Sequence, residues 1–216
     1  AFIGLWAGVI FASCSSDEDM ITGKTLPQGK YPVAMTVSVE SPIARSSVDG
    51  TWTNGEKVTV QAITKTGDAY NWNDAASYPY EINNDIPAAS TKKETHYWQR
   101  SDETKLMRAW HCADGSTSNT LPDSWSVAAD QNETGNGYAE SDLLFTAPVE
   151  VKFGSTADLI FYHQTARIIV NIKKTEGIDS ADQIQSVKIG DNNLALSGTY
   201  TAPSGTGVTT GTWLPG

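Results

Sequence analysis

Apolar and polar residues alternate with period two over Tyr31–Glu40. Val33, Met35, Val37 and Val39 fall on one side, and Ala34, Thr36, Ser38 and Glu40 on the other. This is the spacing of a strand with one buried face. Turn-forming pairs follow at Ser41-Pro42, Asp49-Gly50 and Asn54-Gly55, the last supplying the positive φ angles a tight turn requires. Lys57–Ile63 then repeats the alternation, with Val58, Val60 and Ala62 on one face. Between 64 and 142 the pattern breaks up. Trp72, Tyr78, Tyr80, Tyr97, Trp98, Trp110 and Trp125 are scattered among polar residues, and short strands are predicted at 95–99, 106–112 and 124–128, joined by long loops. Leu143–Phe153 reads as a strand pair or one bent strand. Ala157–Lys173 reads as two strands about a joint at Gln164-Thr165. The segments 184–189 and 193–200 make a further pair across Gly190-Asp191-Asn192. No segment sustains a 3.6-residue period and nothing repeats at fixed length, so the pattern predicts an all-β sandwich.

Composition narrows the function classes. The 216 residues, 39% hydrophobic and 19% charged, suffice for a real core. A net charge of −10 without any basic stripe argues against nucleic-acid binding. No Gly-x-Ser-x-Gly elbow occurs, and Ser204-Gly205-Thr206-Gly207 lacks the lysine and helix of a phosphate loop, so it reads as a turn. The acidic groups Asp17/Glu18/Asp19 and Asp102/Glu103 read as surface. His96, His111, Cys112 and His163 lack the spacing of known zinc sites. His163 is expected to pack beside Phe161 with its ring nitrogens hydrogen-bonded, and Cys112 to be a buried thiol. The expectation is a non-enzyme without metal or cofactor. Trp52, Trp98 and Trp110 are assigned to the core. Trp72, in Asn71-Trp72-Asn73-Asp74, is the candidate surface aromatic, because exposed rings stack on sugars and anchor interfaces.

The amino-terminal segment carries separate information. Ala1–Ala12 is uncharged and apolar, the length of a signal-peptide core and too short to span a bilayer. Phe11-Ala12-Ser13-Cys14 resembles a bacterial lipobox. Cleavage before Cys14 and acylation there would anchor the chain, each buried CH₂ contributing roughly 0.8 kcal/mol. A Cys14–Cys112 disulfide is the competing use of the two cysteines. Ser15-Ser16-Asp17-Glu18-Asp19 resembles the acidic export signal of Bacteroidales surface lipoproteins, which implies the outer face of the outer membrane. Residues 1–14 are thus expected to be a signal peptide and 15–30 a flexible tether. Without Met or a basic stretch at its start, and with no evident ending at Trp213-Leu214-Pro215-Gly216, the sequence is expected to be a fragment of a longer chain.

Three blocks, in order, resemble the fimbrillin-like family of pilus lipoproteins. They are Arg45 followed by Trp52-Thr53-Asn54-Gly55-Glu56; Asp130-Gln131, then Gly137-Tyr138, then Ser141-Asp142-Leu143-Leu144; and Phe161-Tyr162-His163-Gln164-Thr165-Ala166 running to Val170. The resemblance implies transthyretin-like β-sandwich domains in tandem, the first over 31–154 and the start of a second over 155–216. It implies a structural subunit or accessory adhesin of a cell-surface pilus, with other pilins as partners and a host protein or glycan as receptor. It also implies cleavage by a trypsin-like protease after Arg45. That cut would release the strand bearing Val33, Met35, Val37 and Val39, and a donor strand from the next subunit would replace it. A glycan-binding surface lipoprotein that does not polymerise is the alternative. Asp179-Ser180-Ala181 resembles a short O-glycosylation motif.

Overall fold

The computed structural model describes residues 23–40, 52–66, 71–89, 92–112, 120–131, 137–166, 168, 170 and 194–215, with backbone alone at 92, 112, 138 and 139. Among the described residues, eleven strands make up almost all of the regular structure. They are β1 (Met35–Val39), β2 (Lys57–Thr64), β3 (Ala76–Asn83), β4 (Ile86–Ala89), β5 (Thr104–Cys112), β6 (Ser124–Ser126), β7 (Leu143–Thr146), β8 (Val149–Lys152), β9 (Ala157–His163), β10 (Ser197–Thr201) and β11 (Thr212–Pro215). One helical turn, Gly137–Glu140, and two 3-10 turns, Trp72–Asp74 and Lys92–Glu94, complete the set. The fold is all-β and sandwich-like, as the alternation predicts.

The large sheet runs β1-β9-β7-β5-β2-β3-β4, with β8 also on β5, and a second sheet runs β11-β10-β6. Residues opposite one another in a ladder share a face. The register therefore puts Val37 with Leu159, Ala62 with Met107, Val58 with Tyr80, and Leu144 with His163 on one side. That side forms the main core, built on Val33, Met35, Val37, Val60, Ile82, Met107, Leu144, Leu159 and Phe161. The other side carries Trp110, Leu143 and Phe145, which the small sheet covers through Tyr200 and Ala202. Both faces of β2 are therefore buried, Val58 through Ile63 without a break, so its alternation understates its burial.

Several expectations need correction. The domain boundary at 154/155 does not divide the sheet: β9 lies between β1 and β7, parallel to β1 and antiparallel to β7. Residues 157–163 belong to the same body as 35–39. The tether does not extend to residue 30. Leu26 packs on the main core, its N–H donates to the Gln99 carbonyl (2.7 Å), and Thr25 bridges Arg100. The segment 95–99 is not a regular strand; it holds one isolated bridge, Pro32 to Tyr97. Strands β3, β4 and β11 fall where the sequence predicts loops or nothing. The β3–β4 turn is made by Asn84 and Asp85, at φ 53° and 60°, the pair of positive angles that a two-residue hairpin turn requires.

The bent-strand reading of Leu143–Phe153 holds in detail. β7 pairs with residues 110–112 of β5, and β8 with residues 104–107. The break falls at Pro148, which has no N–H for the ladder. The Ala109 N–H instead donates to Thr146 Oγ1 at 2.8 Å.

Candidate functional site

The first strand is an edge. β1 pairs with β9 alone, the Ala157 N–H donating to the Ala34 carbonyl (2.8 Å) and the Glu40 N–H to the Phe161 carbonyl (2.8 Å). On its other side β1 lies beside β4, the opposite edge of the sheet. There the Val37 N–H reaches the Asp85 carbonyl at 3.0 Å, and a cavity of about 690 Å³ lies between Ala34–Thr36 and Ile86–Ala89. β1 thus closes the sheet on itself. Its apolar side is inserted deeply, with Val33, Met35 and Val37 buried and Val39 half-buried. β1 also ends where the connection carrying Arg45 begins. Arg45, Cys14 and Asp179–Ala181 lie outside the described residues, as does the Cys112 side chain.

The three sequence blocks turn out to hold joints. In the first, Trp52 packs edge-on against Phe161 (4.9 Å between ring centroids) and His111 (5.4 Å). The turn after it is closed by the Glu56 carboxylate, which accepts the Thr53 N–H at 2.6 Å, while Gly55 takes φ +96°. In the second, Gln131 Nε2 donates to the carbonyls of Ala128 (2.8 Å) and Gly137 (3.1 Å) and to Ser141 Oγ (2.9 Å). Ser141 Oγ also donates to the Gly137 carbonyl (2.6 Å) and accepts the Ala128 N–H (2.9 Å). In the third, His163 Nδ1 is 3.0 Å from Asp142 Oδ1, linking the second block to the third, and Thr165 donates to the same oxygen (3.2 Å).

Gln164 is the tie between the sheets. Its Nε2 donates to the carbonyls of Tyr162 (2.9 Å) and Thr209 (3.0 Å). Its Oε1 accepts the Tyr200 hydroxyl (2.9 Å) and the Gly211 N–H (2.8 Å), and its carbonyl accepts Trp213 Nε1 (2.9 Å). Gln164→Ala leaves four groups without that partner and is expected to cost about 2–3 kcal/mol in urea unfolding. Chymotryptic cleavage at Tyr200 and Trp213 should accelerate, because the β10–β11 hairpin loses its tie.

Trp72 is not a bare surface ring. The Arg108 guanidinium stacks on it at 3.9 Å, and Trp72 Nε1 points at the Ser204 carbonyl (3.4 Å). Arg108 is buried, bonded through Nε to Gln61 (2.7 Å) and through Nη1 to the Pro203 carbonyl (3.1 Å). Burial pushes its pKa down to about 10, with the nearby Tyr200 opposing the shift. Trp98 and Trp110 are core residues as expected. Trp52 is half-buried, with an Nε1 that has no hydrogen-bond partner among the described residues.

The histidines are dispersed, each on its own partner: His96 on the Val60 carbonyl (3.0 Å), His111 on the Lys57 carbonyl (2.8 Å), His163 on Asp142. Among the described residues no three His, Cys, Asp or Glu side chains converge as metal ligands do. Glu103 is not the surface acid it was expected to be. It is buried with Lys105, which donates to its Oε1, as does Thr64. Glu103 Oε2 accepts the N–H groups of Gln99 (2.7 Å) and Arg100 (3.3 Å). Alternation could have revealed the pair, since residues i and i+2 of a strand share a face. No helix among the described residues is long and apolar enough to cross a membrane.

Comparison with known proteins bears on these joints. No curated protein is similar enough to be matched. Among solved structures, a fimbrial protein from Bacteroides ovatus is similar at 14% identity and a TM-score of 0.37. The similarity covers 62% of this chain and 28% of that one, so the chain spans well under half the length of that structure. The profile of the fimbrillin-like family matches residues 44–213, a span that contains all three blocks and the joints they build. The chain belongs to the fimbrillin-like family.

Proposed function

We propose that the chain is a structural subunit or accessory adhesin of a cell-surface pilus, joined to other pilins by β-augmentation after proteolytic removal of its first strand. The observation that carries this is β1 itself, an edge strand with a buried apolar side, laddered to β9 along one flank, held on the other by the single Val37 N–H bond to the Asp85 carbonyl, and followed in sequence by the Arg45 segment. Removing it would bare the outer edge of β9 and a groove over Leu159 and Phe161. Such a groove is a template for an incoming strand, whose backbone supplies the ladder and whose alternate side chains fill the pockets left by Val33, Met35 and Val37. At about 25 cal/mol per Å² of apolar area, refilling one strand face contributes several kcal/mol. In this reading the precursor reaches the outer membrane as a lipoprotein acylated at Cys14, the lipobox residue that ends the 1–14 signal segment and before which the chain is cut.

Limited trypsin digestion of the folded protein, followed by intact mass, tests the reading. An early cut after Arg45 is expected, with oligomer ladders once a subunit bearing the full carboxyl-terminal tail is present, and Arg45→Ala should abolish both. Resistance at Arg45, or a cut without oligomers, would count against strand release.

A further inference from the structure

A second cavity, of about 1180 Å³, opens between the 92–99 segment and the ends of β2, β3 and β5. Its volume is comparable to the ~300–1,000 Å³ of small-molecule sites. Among its lining residues are Tyr78, Tyr97, His96, Lys105, Thr64 and Asp74. Tyr78 and Tyr97 are half-buried rings with area left to offer, whereas Trp98 is sealed beneath, with the Lys105 ammonium 5.6 Å from its ring.

The polar groups here are held in place and left incomplete. His96 is only 6% exposed. Its Nε2 lies 3.0 Å from the Val60 carbonyl, which can only accept, so Nε2 carries the proton and Nδ1 remains an acceptor. That Nδ1 has no partner among the described residues. Tyr78 packs against the ring at 4.8 Å and Tyr80 at 6.0 Å, fixing its plane. Lys105 commits one ammonium hydrogen to Thr64 (3.0 Å) and one to Glu103, leaving the third. Asp74 holds one oxygen on Asn71 Nδ2 (2.6 Å) and presents the other. The cavity therefore offers a fixed acceptor, a fixed donor, a carboxylate oxygen at the rim and two phenol rings. Its interior charge is already balanced, because Lys105 is paired with Glu103. At the rim Lys93 and Asp74 offset one another as well, so the lining carries no net charge to favour an anionic or a cationic ligand, whereas a neutral polyol would use every one of these groups.

We infer that this cavity is a saccharide site, taking a neutral terminal hexose or N-acetylhexosamine with one sugar face on Tyr78 or Tyr97 and its hydroxyls on His96 Nδ1, Lys105 and Asp74. The site stands apart from the β1 edge and does not depend on strand release.

Saturation-transfer NMR on the whole chain tests it, with galactose, N-acetylglucosamine and N-acetylgalactosamine as probes and glucuronic acid as the charged comparison. At least one neutral sugar is expected to bind, and glucuronic acid to bind more weakly. Tyr78→Ala and His96→Phe should each weaken that binding about tenfold or more, with thermal melts showing that the variants fold. Tyr78→Ala decides alone if His96→Phe does not fold. The inference is overturned if no neutral sugar binds, if glucuronic acid binds as well as the neutral sugars, or if folded variants bind undiminished.

Discussion

Lowering the pH from 7 to 4 is expected to remove about 3 kcal/mol of folding stability through His96 alone. Burial is the main cause: it opposes protonation and pulls the pKa from 6.5 down to about 4, helped by the nearby Lys105 charge and resisted by the bond to the Val60 carbonyl. In the unfolded chain the imidazole takes up a proton near pH 6.5, whereas the folded state resists until about 4. Between those values the unfolded state binds more protons, so stability falls as the pH falls and is complete only above the unfolded value. About 2 kcal/mol of the loss should be visible between pH 7 and pH 5. His96→Phe should be less stable at neutral pH, because the Val60 carbonyl loses its donor, yet flatter across that window. Urea unfolding of both proteins at pH 7 and 5 checks this, and equal slopes with pH would rule out His96 as the source.

The second large effect lies in the buried ion pair. Glu103→Ala should cost about 3–5 kcal/mol, since it strands the Lys105 ammonium among buried residues and leaves the Gln99 and Arg100 N–H groups without their acceptor. Replacing the pair together, Glu103→Leu with Lys105→Met, should cost clearly less than Glu103→Ala alone, because no uncompensated charge remains. Acid should reproduce part of the loss at lower pH than His96 does. Burial pushes the Glu103 carboxyl up, but the bonds from Lys105, Thr64 and the Gln99 N–H outweigh it and hold the pKa below the ordinary 4.5. A carboxyl depressed on folding stabilises fully above its unfolded value, and that contribution disappears as the pH drops through the folded one.

These two clusters mark where the sequence could and could not be read. β1 is legible because one side alone is buried, so Val33, Met35 and Val37 stand out against Ala34, Thr36 and Ser38. β2 is only half legible: buried on both faces, it carries Thr59 and Gln61 on a side that alternation assigns to water. The β3–β4 hairpin is hidden by Pro79 within the strand and by Asn84-Asp85 doing the work usually signalled by Asn-Gly. The boundary at 154/155 fails for a different reason. The pairing of β9 with β1 joins residues more than a hundred positions apart in sequence, and no local pattern encodes it. Glu103 reads as surface because charged residues usually are, although its i, i+2 spacing puts it on the same face as Lys105 and the buried Met107. The family blocks, by contrast, are legible as strings, and the structure gives their polar members physical roles: Gln131, Ser141 and Gln164 satisfy backbone groups where strands end and the small sheet docks, and Asp142 holds the side chains of His163 and Thr165.

The central claim is that β1 is a replaceable strand closing the sheet. Its most direct test is a strand-exchange measurement on trypsin-nicked protein, read by native mass spectrometry. A labelled peptide spanning Tyr31–Glu40 is added in excess, beside a copy with Val37→Asp. The account predicts that the nicked protein retains its own strand non-covalently, exchanges it slowly for the labelled peptide and ignores the Asp-bearing copy. If the nicked protein unfolds outright, or takes up both peptides equally, β1 is not a strand whose place another can fill.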